Sequence, residues 1–314
     1  MLVQLEEEYP QDLRIIYRDF PLLTNPGHEK AGLAAQASRA AALQNKFWEM
    51  HALLFTEQSL WSTLEMDEFE HWLISEAKDL GIKPSQFTED MQSESIIEKV
   101  EQAFIFGEKV GMPGTPFLLI NGQIYSGPAD YGSLNQIISL ISLGARQFTN
   151  CPPMVVDLSK EYLAIMKFET GEVVIQFYPQ QAPVAVNNFI FLAHKGWYQG
   201  NTFHRVLPDY FAESGDPSGT GQGNPGYFFK NEIDPSLSFD RPGVVAMKNI
   251  GPNSNGSQFF ITYAAVPSYD GRYTIFGQVL SGMEILEELS PRDPAYGEIL
   301  PPGELLLEVR IEER

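Results

Sequence analysis

Hydrophobic positions follow two different rhythms along this chain. The first residues read as a helix end, Tyr9-Pro10-Gln11-Asp12 as a turn, and Arg14-Ile15-Ile16-Tyr17-Arg18 as a β-type run that predicts a strand. From Pro26 to about Phe106 the period is helical. An alanine-rich stretch fills 31–42. Phe47, Met50, Leu53 and Leu54 fall at i, i+3, i+6 and i+7, and Trp72, Leu73 and Leu80 repeat the stripe before Gly81, a helix-ending glycine. At Gly111 the period shortens. Phe117-Leu118-Leu119-Ile120, the turn dipeptide Asn121-Gly122 and Gln123-Ile124-Tyr125-Ser126 predict a β-hairpin. Leu134, Ile137, Ile138 and Ile141 then predict one more amphipathic helix.

The polar stretch 144–153, ending in Pro152-Pro153, reads as a linker between a domain over 1–143 and another over 154–314. Beyond it, strands are short and glycines frequent. Tyr162–Phe168 and Val173–Phe177 flank Thr170-Gly171 as a hairpin, and Pro183 opens a helix with Val186, Phe189, Ile190 and Ala193 on its buried stripe. Val244–Met247, Gln258–Thr262 and Thr274–Val279 predict further strands, and Met283–Leu289 a second helix. Many short strands with frequent turns favour a β-barrel or sandwich.

Composition narrows the function. The 314 residues are 43% apolar and 20% charged, the make-up of a folded globular chain of about two domains. Acids outnumber bases 41 to 21, a net charge of −20, which repels phosphate backbones and anionic lipid. Nucleic acid is therefore not an expected partner. No apolar run approaches the roughly 18–20 residues of a membrane helix, so no membrane insertion is expected of this chain either. Cys151 is the single cysteine, which excludes an intramolecular disulfide and a CxxC pair, and the five histidines show no metal-ligand spacing. No metal site and no cofactor are expected. The N-terminus, with Glu6, Glu7, Glu8 and Pro10, shows no signal peptide.

Three stretches carry specific chemistry: NTFHRVLPDYFAESGD at 201–216, MKNIGPNSNGSQFFIT at 247–262, and Phe276-Gly277-Gln278-Val279. In this order and spacing they resemble the cyclophilins, a family of peptidyl-prolyl cis-trans isomerases. The resemblance implies an eight-stranded antiparallel barrel with two helices and a substrate groove on its outside. It implies Arg205 as the catalytic residue. It assigns substrate contact to His204, Tyr210, Phe211, Glu213, Lys248, Asn249, Gln258, Phe260, Tyr269 and Tyr273. Tyr210, Phe211 and Phe260 would floor a proline pocket with Tyr269 on its rim. Asn249 would pair with the peptide backbone. Glu213 stands where the family usually has Gln, Lys248 where it often has Ala, Ser268 where many members have Trp, and Tyr273 where many have His.

The residue types suit that chemistry. X–Pro rotation crosses roughly 18–20 kcal/mol because amide resonance must be broken, and no covalent step is needed. Arg205 is a permanent cation with a rigid fork of donors for the prolyl nitrogen, and aromatic neighbours exclude water around it. No proton is transferred, so His204 is expected to serve as a structural hydrogen-bonder. Phe259 and Phe260 are neighbours on a strand and must face opposite ways, with Phe260 in the groove.

In the first half, LRIIYRDFPL (13–22), KFWEMHALLF (46–55) and GMPGTPFLLING (111–122) resemble the later part of a DsbA-like thioredoxin fold. That resemblance implies an α/β domain with a helical insertion, a cis bond at Thr115-Pro116, and a peptide-binding loop at those two residues. The family's first strand and CxxC would precede Leu2. An upstream start, carrying a secretion signal and a cell-envelope address, is the corresponding expectation. The expected function is peptidyl-prolyl isomerisation in unfolded or extended protein clients. The rivals are a non-catalytic, chaperone-like binder of proline-containing peptides, favoured by Glu213 and Ser268, and a part of a longer thiol-disulfide fusion.

Overall fold

The computed structural model describes residues 1–294 and 303–314, which divide into two compact units. The first, residues 14–127, is mainly helical. Helices Ala31–Ala42, Phe47–Thr56, Met66–Asp79, Pro84–Met91 and Glu94–Lys109 bury Ala37, Met50, Phe69, Leu73 and Phe87 in a common core. The helix at Met66 begins in a capping box formed by Glu65 and Glu68, and Gly81 follows its end at φ +79°. The expected hairpin forms as β1 (Leu118–Ile120) and β2 (Gln123–Tyr125). Asn121 and Gly122 both take positive φ at its turn, which an Asn-Gly pair adopts at little cost. The Thr115–Pro116 bond is cis.

The expected strand over Arg14–Arg18 does not form, and residues 13–22 enter no ladder. A β-type residue pattern is local, whereas a strand needs a neighbouring edge with which to exchange hydrogen bonds. Side chains anchor this segment instead. The Tyr17 ring lies 5.4 Å from Phe47 and 4.6 Å from His51, Phe20 stacks on Phe104 at 5.4 Å, and Asp19 accepts from Arg39 Nε at 2.5 Å.

The second unit comprises residues 1–13 and 128–314. Its helices Leu2–Glu8 and Tyr131–Leu143 are joined by hydrogen bonds from Tyr131 to Glu8 and from Tyr9 to Asn135. Leu143 reaches the barrel core, whereas Ile141 is exposed. The proline-ending stretch that follows is anchored too: Phe148 N–H donates to Pro225 O at 2.8 Å, and its ring packs edge-on against Phe191.

The strands here are β3 (Tyr162–Lys167), β4 (Glu172–Phe177), β5 (Asn201–Thr202), β6 (Arg205–Leu207), β7 (Phe211–Ser214), β8 (Val244–Met247), β9 (Phe259–Thr262), β10 (Ile275–Ser281), β11 (Leu305–Leu306) and β12 (Glu308–Glu313). Among the described residues, eight of them form one antiparallel sheet in the order β12–β3–β4–β10–β8–β9–β7–β6, and β5 pairs with β11. One face buries Ala164, Val245, Ala212, Phe259 and Ile261 against helix Pro183–His194 and Leu286 of helix Met283–Glu287. The other face builds the site. No helix among the described residues is long and apolar enough to cross a membrane.

Candidate active site

Strand register sets the site. Directly opposed residues share a face of a sheet, and Arg205 on β6 lies opposite Glu213 on β7, Glu213 opposite Phe260 on β9, and Phe260 opposite Ala246 on β8. These four side chains therefore form one row across four strands on the face away from the core. Two residues along β7, Phe211 joins the same face, and its ring centre lies 5.7 Å from that of Phe260.

Loops close an aromatic cage over this row. Tyr269 stands edge-on to Phe260 at 5.7 Å and Tyr273 edge-on at 5.3 Å, while Phe239 stacks on Phe260 from behind at 5.8 Å. Tyr210 lies 4.6 Å from Phe211 and 5.6 Å from Tyr269. Sequence reading did not single out Phe239, which is fully buried in this second apolar cluster. Phe259, one residue before Phe260, points into the barrel core, as strand alternation requires.

Arg205 sits at the edge of the cage with its guanidinium carbon 5.3 Å from the Phe211 ring centre. Its fork is held by a residue the sequence did not advertise. Nε donates to Asp293 Oδ1 at 3.0 Å and Nη2 to Asp293 Oδ2 at 3.2 Å, a bidentate clamp. The backbone explains the placement: Val206 and Arg292 exchange N–H···O bonds of 2.8 and 2.9 Å, which puts the following carboxylate beside Arg205. Glu213 makes a looser ion pair, 3.7 Å from Nη1. The bidentate contact is thus made by Asp293 and not by Glu213. Desolvation, the largest influence on Arg205, pulls its pKa down. Asp293 and Glu213 together outweigh it, so the guanidinium is held above its ordinary value.

Two groups beneath the arginine are buried. The Glu213 carboxyl is raised above the ordinary carboxylate range by burial, against the pull of Lys248 and Arg205. His204 is driven down to about 4 by burial, with Asp216 opposing and Lys248, Arg292 and Arg205 reinforcing, so near neutrality its ring is uncharged. Neither ring nitrogen has a hydrogen-bond partner among the described residues, and Glu213 Oε2 lies 3.9 Å from Nε2. The expected hydrogen-bonding role for His204 is not what this geometry contains. The ring fills space under the arginine and floors the loop at Gly221.

Lys248 and Gln258 continue the row beyond Ala246 and Phe260. Lys248 N–H donates to Gln258 O at 2.9 Å, and Lys248 Nζ donates to Gln258 Oε1 at 3.0 Å and to Gly221 O at 3.2 Å. Gln258 Nε2 in turn donates to Gly223 O at 2.7 Å. Asn249 lies beside them, its Nδ2 3.4 Å from Arg272 O. Thr115 and Pro116 lie in the other unit. Among the described residues no three His, Cys, Asp or Glu side chains converge as metal ligands would.

This geometry can hold a proline ring between aromatic walls beside a fixed guanidinium. Comparison with known proteins gives the same class. The family model described as cyclophilin type peptidyl-prolyl cis-trans isomerase matches residues 163–300, and a thioredoxin family model matches residues 1–139. A peptidyl-prolyl cis-trans isomerase-like 1 protein of Gibberella zeae is 41% identical over 128 residues, 40% of this chain and 79% of that protein. The peptidyl-prolyl cis-trans isomerase ppi1 of Schizosaccharomyces pombe is 43% identical over 122 residues, 38% of this chain and 79% of that protein. A crystal structure of a Cryptosporidium parvum cyclophilin type isomerase, 32% identical, covers 49% of this chain and 99% of its own, with a TM-score of 0.45.

The chain belongs to the cyclophilin-type peptidyl-prolyl cis-trans isomerase family. It is an isomerase acting on proline-containing peptides, joined to a thioredoxin-like N-terminal domain.

Proposed function

We propose that Arg205 is the catalytic residue of this isomerase, that Tyr210, Phe211, Phe260, Tyr269 and Tyr273 bind the proline, and that its substrates are unfolded or extended protein segments. The observation that carries this reading is the row Arg205–Glu213–Phe260 with the guanidinium fixed beside an aromatic cage. As the X–Pro bond twists, resonance is lost and the lone pair localises on the prolyl nitrogen, which becomes a hydrogen-bond acceptor. A guanidinium N–H aimed at that nitrogen binds the twisted form more tightly than the planar one, and that difference lowers the barrier. The cage excludes water, so the interaction acts in a medium of low dielectric.

In the same reading, His204 and Glu213 lie beside Arg205 at the edge of the groove, while Lys248, Asn249 and Gln258 contact the substrate on either side of its proline. The stretch 144–153 joins a thioredoxin-like domain over 1–143 to the isomerase domain over 154–314, and Thr115 with Pro116 forms a second, independent peptide-contact loop. Nucleic acid is not among the partners of so acidic a chain.

Removing the donor tests the central assignment. Arg205→Ala is expected to lower kcat about 10²–10³-fold with a smaller change in KM, the pattern for a group that acts on the distorted bond. Isomerisation measured by exchange spectroscopy on a proline-containing peptide reads both constants. A variant with near-native kcat would remove Arg205 from catalysis and favour a peptide-holding role for the domain.

A further inference from the structure

Residues 146–151 precede every strand of the eight-stranded sheet, and their polar sequence reads as linker, yet they are held on two sides. One side grips the core. Arg146 Nη2 donates to Gly196 O and Trp197 O, both at 3.3 Å, and its guanidinium lies 5.5 Å from the Trp197 ring centre. The Phe148 ring meets Phe191 at 5.1 Å and Trp197 at 6.0 Å. The other side runs along the loop 223–228. Gln147 Nε2 donates to Asn224 O at 3.1 Å, Phe148 N–H donates to Pro225 O at 2.8 Å, and Cys151 Sγ lies 3.6 Å from Phe228 O. The three pairs share one offset of 77 residues, so strap and loop run side by side in the same direction. The approach leaves no room for side chains. A Cβ on Gly226, which sits at φ +90°, would come 2.2 Å from Phe148 O, and one on Gly223 would come 2.7 Å from Leu143 Cδ2.

The far side of the same loop faces the site. Gln258 Nε2 donates to Gly221 O at 3.0 Å and to Gly223 O at 2.7 Å, and Lys248 Nζ donates to Gly221 O at 3.2 Å. A Cβ on Gly221 would come 3.1 Å from His204 Cδ2, so the loop backbone also packs on the ring that precedes Arg205. Between strap and groove there is thus one layer of chain. A layer this thin has no core of its own, and its position is set by what it touches on each side.

We propose that residues 146–151 are a positioning strap for the isomerase groove: with Phe148 as its anchor, the strap holds the loop 223–228 and so sets where Gln258 and Lys248 meet the substrate. This deepens the isomerase reading and rests on it. Phe148 touches no substrate and acts only through the loop. Gln258 and Lys248 contact the peptide beside its proline, where little changes as the bond twists, so loosening them weakens the planar and twisted forms alike. Arg205 is clamped from another direction by Asp293, so turnover is spared. The signature of the strap is therefore a rise in KM at nearly constant kcat.

The test uses the full chain with Phe148→Ala and, as a milder variant that refills part of the volume, Phe148→Leu. Exchange spectroscopy on a proline-containing peptide gives kcat and KM, and titration with the same peptide gives Kd. Phe148→Ala is expected to raise KM and Kd about five- to tenfold with kcat within about twofold of native, and Phe148→Leu to raise them about two- to threefold. Val309→Ala is the control: it trims a core-packed side chain on β12, at the edge of the sheet opposite β6, and should lower thermal stability while leaving KM native. Native KM and Kd in the Leu variant and in any folded Ala variant would overturn the proposal. So would a loss confined to kcat, or an equal rise of KM in Val309→Ala, which would reduce the strap to general stability. If the native chain isomerised no peptide, the isomerase reading would fail by itself, and the Kd series would still decide whether the strap shapes the groove.

Discussion

Among the described residues, the β1–β2 hairpin and the eight-stranded sheet are both antiparallel and built from the same kind of alternating sequence, and of the two only the wider makes a site. In the hairpin β1–β2, Leu119 is 56% exposed and Ile124 69% exposed, because two strands offer no second layer to cover both faces. In the eight-stranded sheet both faces are covered. The inner one is filled by Phe259, Ile261 and Val245, the outer one by Phe211, Phe239 and Phe260. Width is what differs. A row of four adjacent strands can hold Arg205, Glu213, Phe260 and Ala246 in register, and a two-stranded ribbon cannot. The active site is thus a product of sheet size as much as of residue choice.

The sharpest way to break this comparison is hydrogen exchange on the whole protein. Amides of β3, β4, β8 and β9 are expected to exchange at least about 10³-fold more slowly than those of 118–125, a gap of roughly 4 kcal/mol in opening free energy. Residues 13–20, which enter no ladder, should exchange fastest among the segments read as β-type from sequence. Equal protection in the hairpin and in the barrel would show that the narrow sheet is covered in solution.

The two faces of β9 sharpen it further. Phe259→Ala empties a core site touching Phe189, Tyr198 and Phe203 and is expected to destabilise the barrel by about 3–5 kcal/mol. Phe260→Ala opens the proline cage, and it should weaken peptide binding and turnover together at a smaller cost in stability. Thermal unfolding beside kinetic constants separates the two. If both variants lost stability equally with unchanged kinetics per folded molecule, the outer face would be merely a second core.

Most of the barrel could be read from its sequence because its longer strands are periodic and its turns carry glycine. Arg205 and Glu213 from 201–216 and Phe260 from 247–262 share one face of the sheet. Strands β5, β6, β7, β11 and β12 were not foreseen: the first four are only two to four residues long, and β12 has four charged residues among its six and no apolar run. The strand over Arg14–Arg18 was foreseen and is absent, since pairing depends on a neighbour that local sequence does not encode. Asp293 was invisible for a related reason. It lies 88 residues from Arg205 and is one acid among 41, and only the Val206–Arg292 bridge brings it to the site.

Asp293 and Glu213 flank the same guanidinium in different ways, so their variants should diverge. Asp293→Ala removes two hydrogen bonds and frees the fork, and is expected to lower kcat about tenfold with little change in KM. Asp293→Glu, which can restore a bidentate contact, should recover part of the loss. Unchanged kcat in the Ala variant would mean that the strand and the Phe211 ring already orient Arg205 without the clamp.

Glu213 should give the smallest effect, and in the opposite direction. At 3.7 Å it adds little to the orientation that Asp293 already supplies, yet its negative charge offsets the field Arg205 directs at the prolyl nitrogen. Glu213→Gln is therefore expected to raise kcat/KM about three- to tenfold near neutral pH, the equivalent of about 0.7–1.4 kcal/mol. Burial raises the Glu213 carboxyl above its ordinary value of 4.5, so folding favours its protonated form. The stability it contributes is full below that ordinary value and is lost as pH rises through the folded one. The Gln variant should accordingly gain thermal stability near neutrality and lose that advantage in acid. Activity should follow the same course: as pH falls, Glu213 is neutralised and the efficiencies of the two proteins converge. The groups around it complicate this little, because Arg205 is held above its ordinary value and His204, driven down to about 4, stays neutral until the acid end of the range. An efficiency ratio independent of pH, or a Gln variant slower at every pH, would show that Glu213 orients the arginine after all. Asp293 and Glu213 would then share one role rather than oppose each other.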